Sequence, residues 1–120
     1  MPRHDSRILI VDDNPSFRSA ARELLAARGY TVVGEAGCGR SALEAAARLA
    51  PDGVLLDVNL GEDCGVDVAR VLTDAQPALD VVLVSADPPD AYGQRLRTCG
   101  ARGFLLKTEL ATADLSGFWR

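Results

Sequence analysis

Five short apolar runs, each followed by a stretch with helical spacing, constrain this chain more than any other feature. The first run, Arg7-Ile-Leu-Ile-Val11, is continuous and largely β-branched, the pattern of a strand covered on both faces. Asn14-Pro15 then supplies a helix cap and a first helical position. Phe17, Ala20, Ala21, Leu24 and Leu25 fall on one face of a predicted helix over 16–28, which Gly29 ends. The unit repeats: strands over 30–35, 53–57, 80–85 and 103–106, and helices over 39–50, 66–75, 90–99 and 109–118. Strands alternating with helices predict an α/β fold: a parallel sheet with helices on both faces. Right-handed crossovers make 2-1-3-4-5 the leading strand order at this size.

The 120 residues bury enough surface for one core and not two, so a single domain over 1–120 is expected, with no output domain in this chain. Charged residues make up 25% and hydrophobic residues 48%, an ordinary globular balance. A net charge of -4 argues against direct nucleic acid binding, since little would neutralise phosphates. No apolar run is long enough for a membrane span, and the first residues do not read as a secretion signal. Cys38, Cys64 and Cys99 are odd in number and widely spaced, as expected of reduced thiols packed as small hydrophobes in a cytoplasmic protein. His4 is the one histidine and takes no role.

Open parallel sheets bind ligands beyond the carboxyl ends of their strands. Asp12 and Asp13 follow the first strand there, and Asp57 ends the third. Ser85 closes the fourth and Lys107 follows the fifth. Taken singly, each has a bland reading: helix-capping acids, a polar strand end, a turn residue, a solvated charge. Together they are less easily dismissed. Three carboxylates at one edge repel unless their pKa values rise or a cation joins them. An oxygen-only set points to a hard ion, Mg²⁺. Of 13 basic residues 12 are Arg, and Lys107 is the only lysine, placed where a compact ammonium could meet a phosphoryl oxygen. A carboxylate nucleophile shielded by metal, with a hydroxyl and an ammonium for the incoming oxygens, is the machinery of phosphoryl acceptance.

At these residues, with Ser85-Ala86 and Gly100-Ala101-Arg102-Gly103-Phe104-Leu105-Leu106-Lys107, the chain resembles the receiver domain of two-component response regulators over essentially its whole length. The resemblance implies a flavodoxin-like (βα)5 three-layer sandwich and Mg²⁺-dependent transfer of a phosphoryl group from a histidine kinase or phosphotransfer protein to Asp57. It implies Mg²⁺ held by Asp12, Asp13, Asp57 and the backbone carbonyl of Asn59. Lys107 would pair with the phosphoryl oxygens, Ser85 would be the switch hydroxyl, and Phe104 the switch aromatic. The face of the fourth helix, fifth strand and fifth helix would then engage a downstream effector protein or a second copy of the chain. On this reading the protein is not a turnover enzyme, although it assists its own phosphorylation and dephosphorylation. Asp87 and Asn59 lie near enough to tune the lifetime of the phosphoryl group.

Two departures stand out. Gly61 replaces a common proline and is expected to loosen its loop. Thr108 replaces the proline usual after the lysine, and a cis Lys107–Thr108 bond would cost about 2.5–4 kcal/mol. These changes keep open an alternative, a phosphorylation-independent interaction module (a pseudo-receiver). Two other readings are weaker. Gly37-Cys38-Gly39-Arg40-Ser41-Ala42 fits G-x-G-x-x-A, but the chain is too short for two nucleotide-binding halves. A phosphohydrolase using Asp12 would need an acid where Asn14 stands.

Overall fold

The computed structural model describes residues 6–88 and 92–119. Its main sheet has five parallel strands in the order β2-β1-β3-β6-β7. They are β1 (Arg7–Val11), β2 (Thr31–Ala36), β3 (Gly53–Asp57), β6 (Asp80–Ser85) and β7 (Gly103–Leu106). Counting these five strands in chain order, this is the expected 2-1-3-4-5. Two further strands, β4 (Asn59–Leu60) and β5 (Asp63–Cys64), form a small antiparallel hairpin.

Period-two alternation splits the continuous apolar runs between two cores. Leu9, Val11, Val54, Leu56, Val81 and Leu83 face α2 (Gly39–Leu49) and α3 (Gly65–Ala75). Ile8, Ile10, Leu55, Val82 and Val84 face α1 (Pro15–Ala27) and the C-terminal segment. Every one of these strand side chains is at most 1% exposed, which is why the runs are apolar without interruption.

Local signals set the first three helices within a residue or two of expectation. The Asn14 carboxamide oxygen accepts from the amides of Ser16 and Phe17 at 2.9 and 3.4 Å, and Pro15 opens α1. Ala20, expected on the buried face, is exposed; Ala21 and Leu25 carry the packing instead. The α2 helix is capped by Cys38, whose sulfur accepts from the Ser41 amide.

The last two helices differ from expectation. Positions 90 and 91 of the expected fourth helix lie outside the described residues, and of its described residues only Arg95–Thr98 (α4) are α-helical. Gly93, at φ +62°, takes the left-handed conformation just before it and breaks the helical path. In place of a fifth helix are two 3₁₀ turns, Lys107–Glu109 and Leu115–Gly117. Leu110, Leu115 and Trp119 are all buried, and a helix would turn Leu110 about 140° from Leu115. The Asp114 carboxylate takes the Ser116 amide and hydroxyl at 3.0 and 2.6 Å. The Arg28 guanidinium donates to the carbonyls of Ala111 and Ala113. The expected helix–strand–helix face is therefore built from a four-residue helix, a strand and these turns.

Gly61 also behaves differently from expectation. With φ +69° it starts the two-residue connection of the β4–β5 hairpin, a conformation closed to proline. The segment is a paired turn and not a loosened loop.

Candidate functional site

Strand ends place the site. Asp12 still donates its amide to the Ala36 carbonyl at 3.0 Å, so it is held as an extension of β1. Asp57 is the last residue of β3, in register with Val84. Lys107 opens the 3₁₀ turn after β7, which Glu109 steadies by accepting the Leu106 amide at 2.9 Å. Among the described residues every peptide bond is trans, Lys107–Thr108 included.

Asp12 is wholly buried and Asp57 is 4% exposed. The Lys107 ammonium lies between them, 2.8 Å from Asp12 Oδ2 and 3.2 Å from Asp57 Oδ2. Its Nζ also lies over the ring of Phe17 on α1, 4.2 Å from the ring centre. Backbone amides take the other carboxylate oxygens: Asn14 N–H donates to Asp12 Oδ1 at 2.8 Å, and Asn59 N–H to Asp57 Oδ1 at 3.1 Å. Asp13 is exposed, yet one oxygen from each of Asp12, Asp13 and Asp57 lies within 4.8 Å of the others.

Charge at this edge is unbalanced, with one ammonium facing three carboxylates. Burial pushes the Asp57 carboxyl up from 3.8 to about 6. The Asn59 amide pulls it down, the Asp12 charge pushes it up, and Lys107 pulls it down. For Lys107, burial pulls downward, but the hydrogen bond to Asp12 and the charges of Asp57 and Asp12 outweigh it and hold the ammonium above its ordinary value. Asp12 Oδ2 is buried and, apart from its ion pair with Lys107, has no hydrogen-bond partner. A buried carboxylate oxygen without a full set of partners is costly, and an all-oxygen cluster of this size suits a hard divalent cation. The residues present therefore fit Mg²⁺.

Ser85 is buried at the end of β6. Its hydroxyl accepts from the Asp87 amide at 3.0 Å and contacts the Tyr92 hydroxyl at 2.5 Å. Among the described residues no hydrogen bond joins it to Asp57 or Lys107. Phe104 is half-buried on β7, its ring 6.2 Å from that of Tyr92. The site thus gathers Asp12, Asp13, Asp57 and Lys107 directly, with Asn59 contributing its amide, while Ser85 and Phe104 stand to one side.

Three neighbours were not legible in the sequence. Phe17 lies under Lys107, and Tyr92 meets Ser85. Arg18 donates to the Asp12 carbonyl at 2.7 Å while pairing with Glu35 at 3.1 Å. The apolar spacing of α1 marked Phe17 as a packing residue, and nothing in the sequence marked the other two. The phosphate-binding reading of Gly37–Ala42 fails on charge: the Gly39 amide at the start of α2 donates to the Asp63 carboxylate at 2.9 Å. The thiols also differ from expectation. Only Cys99 is buried; Cys38 is exposed and Cys64 half-exposed.

Comparison with known proteins identifies the family. Residues 8–115 match the response regulator receiver domain. The chain belongs to this family. The receiver domain is 37% identical over 102 residues to the response regulator GacA of Pseudomonas aeruginosa, covering 84% of this chain and 48% of that protein. It is 37% identical over 101 residues to the transcriptional regulatory protein PdtaR of Mycobacterium tuberculosis, covering 84% and 49%. The chain spans about half the length of these curated relatives. Among solved structures, the signal receiver domain of NarL from Mycobacterium tuberculosis superposes with a TM-score of 0.80 at 36% identity, covering 96% of both chains. A response regulator from Burkholderia pseudomallei, solved with a phosphorylated aspartic acid and a calcium ion, gives a TM-score of 0.79 at 27% identity, covering 93% of this chain and 63% of that one. Receiver domains generally bind Mg²⁺ at an acidic pocket, and response regulators work with kinases and effectors. No helix among the described residues is long and apolar enough to cross a membrane.

Proposed function

We propose that this receiver domain accepts a phosphoryl group on Asp57 from a histidine kinase or phosphotransfer protein in the cytoplasm. The observation that carries this reading is the buried Asp12–Lys107–Asp57 cluster with Asp13 at its rim. An Asp57 carboxylate oxygen attacks the phosphorus of a phosphohistidine. The nitrogen–phosphorus bond breaks, the imidazole leaves with that electron pair, and Asp57 becomes an acyl phosphate. The Asn59 amide holds Oδ1, leaving Oδ2 for attack. Lys107, already against Oδ2, stabilises charge on the transferred oxygens. Asp12, Asp13, Asp57 and the Asn59 carbonyl would hold Mg²⁺, which when bound offsets carboxylate charge so that an anionic donor can approach. Ser85 supplies a hydroxyl for the phosphoryl group, and Phe104 follows its movement. The altered face then engages an effector protein or a second copy of the chain. The domain assists gain and loss of its own phosphoryl group without turning over a separate substrate.

Intact-mass spectrometry after incubation with acetyl phosphate tests this. A single phosphoryl adduct is expected with Mg²⁺ and not with EDTA, and none in Asp57→Asn. An unmodified, folded, Mg²⁺-binding wild type that also fails with a phosphorylated histidine kinase would contradict it and favour the phosphorylation-independent module.

A further inference from the structure

The hydroxyl of Ser85 has one proton, two lone pairs and a small set of staggered positions. In the position it holds, the Asp87 amide takes one lone pair and the Tyr92 hydroxyl stands at 2.5 Å. Ser85 is wholly buried and Tyr92 half-buried, so the serine side of this contact is closed to solvent. Phe104, the aromatic on β7, has no hydroxyl to offer; its ring instead packs against Tyr92 at 6.2 Å and a 50° tilt. The tyrosine is thus tied at one end to the phosphoryl site and along its ring to the edge strand. Gly93 follows it in the left-handed conformation, at the start of the segment leading into α4.

We propose that Tyr92 is a positioning residue for the phosphoryl site: its hydroxyl holds the Ser85 hydroxyl away from Asp57, and a phosphoryl group on Asp57 draws Ser85 off Tyr92. The inference rests on Asp57 being the phosphoacceptor. A phosphoryl oxygen carries charge and is the stronger acceptor, so it wins the serine proton once present. Before that, each occupation of the site must first break the Ser85–Tyr92 contact. Removing the tyrosine hydroxyl removes that cost. Tyr92 then reports the state of Asp57 to the segment before α4 through the lost hydrogen bond, and Phe104 follows through its ring contact with the tyrosine.

The test uses the full chain with Mg²⁺ and beryllofluoride, a stand-in for the phosphoryl group, in a double-mutant cycle read by calorimetry. Tyr92→Phe keeps the ring and should tighten beryllofluoride by about three- to tenfold, the worth of one net hydrogen bond. In a Ser85→Ala background the same substitution should change affinity by less than about twofold. A second readout needs neither metal nor beryllofluoride. Ser85→Ala should move the Tyr92 ring resonances while leaving those of Tyr30, whose hydroxyl donates to the Trp119 carbonyl, in place. Unchanged or weaker binding in Tyr92→Phe would overturn the inference. So would a shift of equal size without Ser85, or Tyr92 resonances that ignore Ser85→Ala. A wild type that does not bind beryllofluoride at all would overturn the phosphoacceptor reading and the inference together; binding that ignores Tyr92 would overturn the inference alone.

Discussion

Ionising Asp57 is costly because its carboxyl is buried beside Asp12, and the single ammonium of Lys107 is shared between them. Its proton is therefore held more tightly in the folded protein, to about pH 6, than in the unfolded chain, near 3.8. Between those values the folded state binds more protons, so Asp57 lowers stability as pH rises through the window. Asp57→Asn should raise the stability of the metal-free domain at pH 7 by on the order of 1–3 kcal/mol, while Lys107 keeps Asp12. The gain should shrink towards pH 4, where Asp57 is protonated in the folded protein. Urea denaturation in EDTA at the two pH values checks both points; a variant less stable than wild type at pH 7 would contradict the electrostatic account. On the proposed reading this destabilisation has a use: a buried carboxylate that shares its one ammonium with a second carboxylate gains most from a bound cation.

The C-terminal segment shows how one aromatic can stand where a helix was expected. Trp119 is 1% exposed, donates its indole N–H to the Asp80 carbonyl at 2.9 Å, and meets Tyr30 edge-on at 5.8 Å. The ring closes the second core together with Leu110 and Leu115. Trp119→Ala should cost about 3–5 kcal/mol. Trp119→Phe, which keeps an aromatic but loses the indole donor, should cost less. Denaturant midpoints measure both; a loss below about 1 kcal/mol in Trp119→Ala would show that the segment is not part of the core. The first three helices could be read from sequence because their signals are local: Asn14-Pro15 at one start, Gly29 after one end, apolar residues three and four apart. The last could not, because its form depends on partners far along the chain. Arg28 binds the carbonyls of Ala111 and Ala113, and Asp114 competes for backbone that a helix would use. Gly61 misled for a related reason: whether a glycine loosens a loop or closes a hairpin depends on whether its flanks pair, as Leu60 and Asp63 do.

Strand order brings together what the sequence scatters. Asp12, Asp57, Ser85 and Lys107 lie at or just beyond the carboxyl ends of four strands of one sheet, so reading the strands correctly was enough to place them at one edge. Sequence could not show which of them touch. The ammonium sits between two carboxylates, while the serine turns to Tyr92, a contact set by the segment leading into α4 that no spacing rule anticipates. The whole domain should respond to metal through the same edge. Mg²⁺ at a hundred times its dissociation constant should stabilise the fold by about 2.7 kcal/mol. Asp13→Asn, at an exposed position, should leave metal-free stability within about 0.5 kcal/mol and abolish that gain. Thermal unfolding with and without Mg²⁺ measures this; a full Mg²⁺ response in Asp13→Asn would remove Asp13 from the ligand set.

On the proposed reading Asp57 itself carries the phosphoryl group. Borohydride reduces an aspartyl phosphate to homoserine, which peptide mass mapping can locate in the chain. After acetyl phosphate and Mg²⁺, homoserine is expected at position 57 alone, with none when Mg²⁺ is withheld. Homoserine at position 12 or 13, or a phosphorylated protein with aspartate intact at 57, would contradict it.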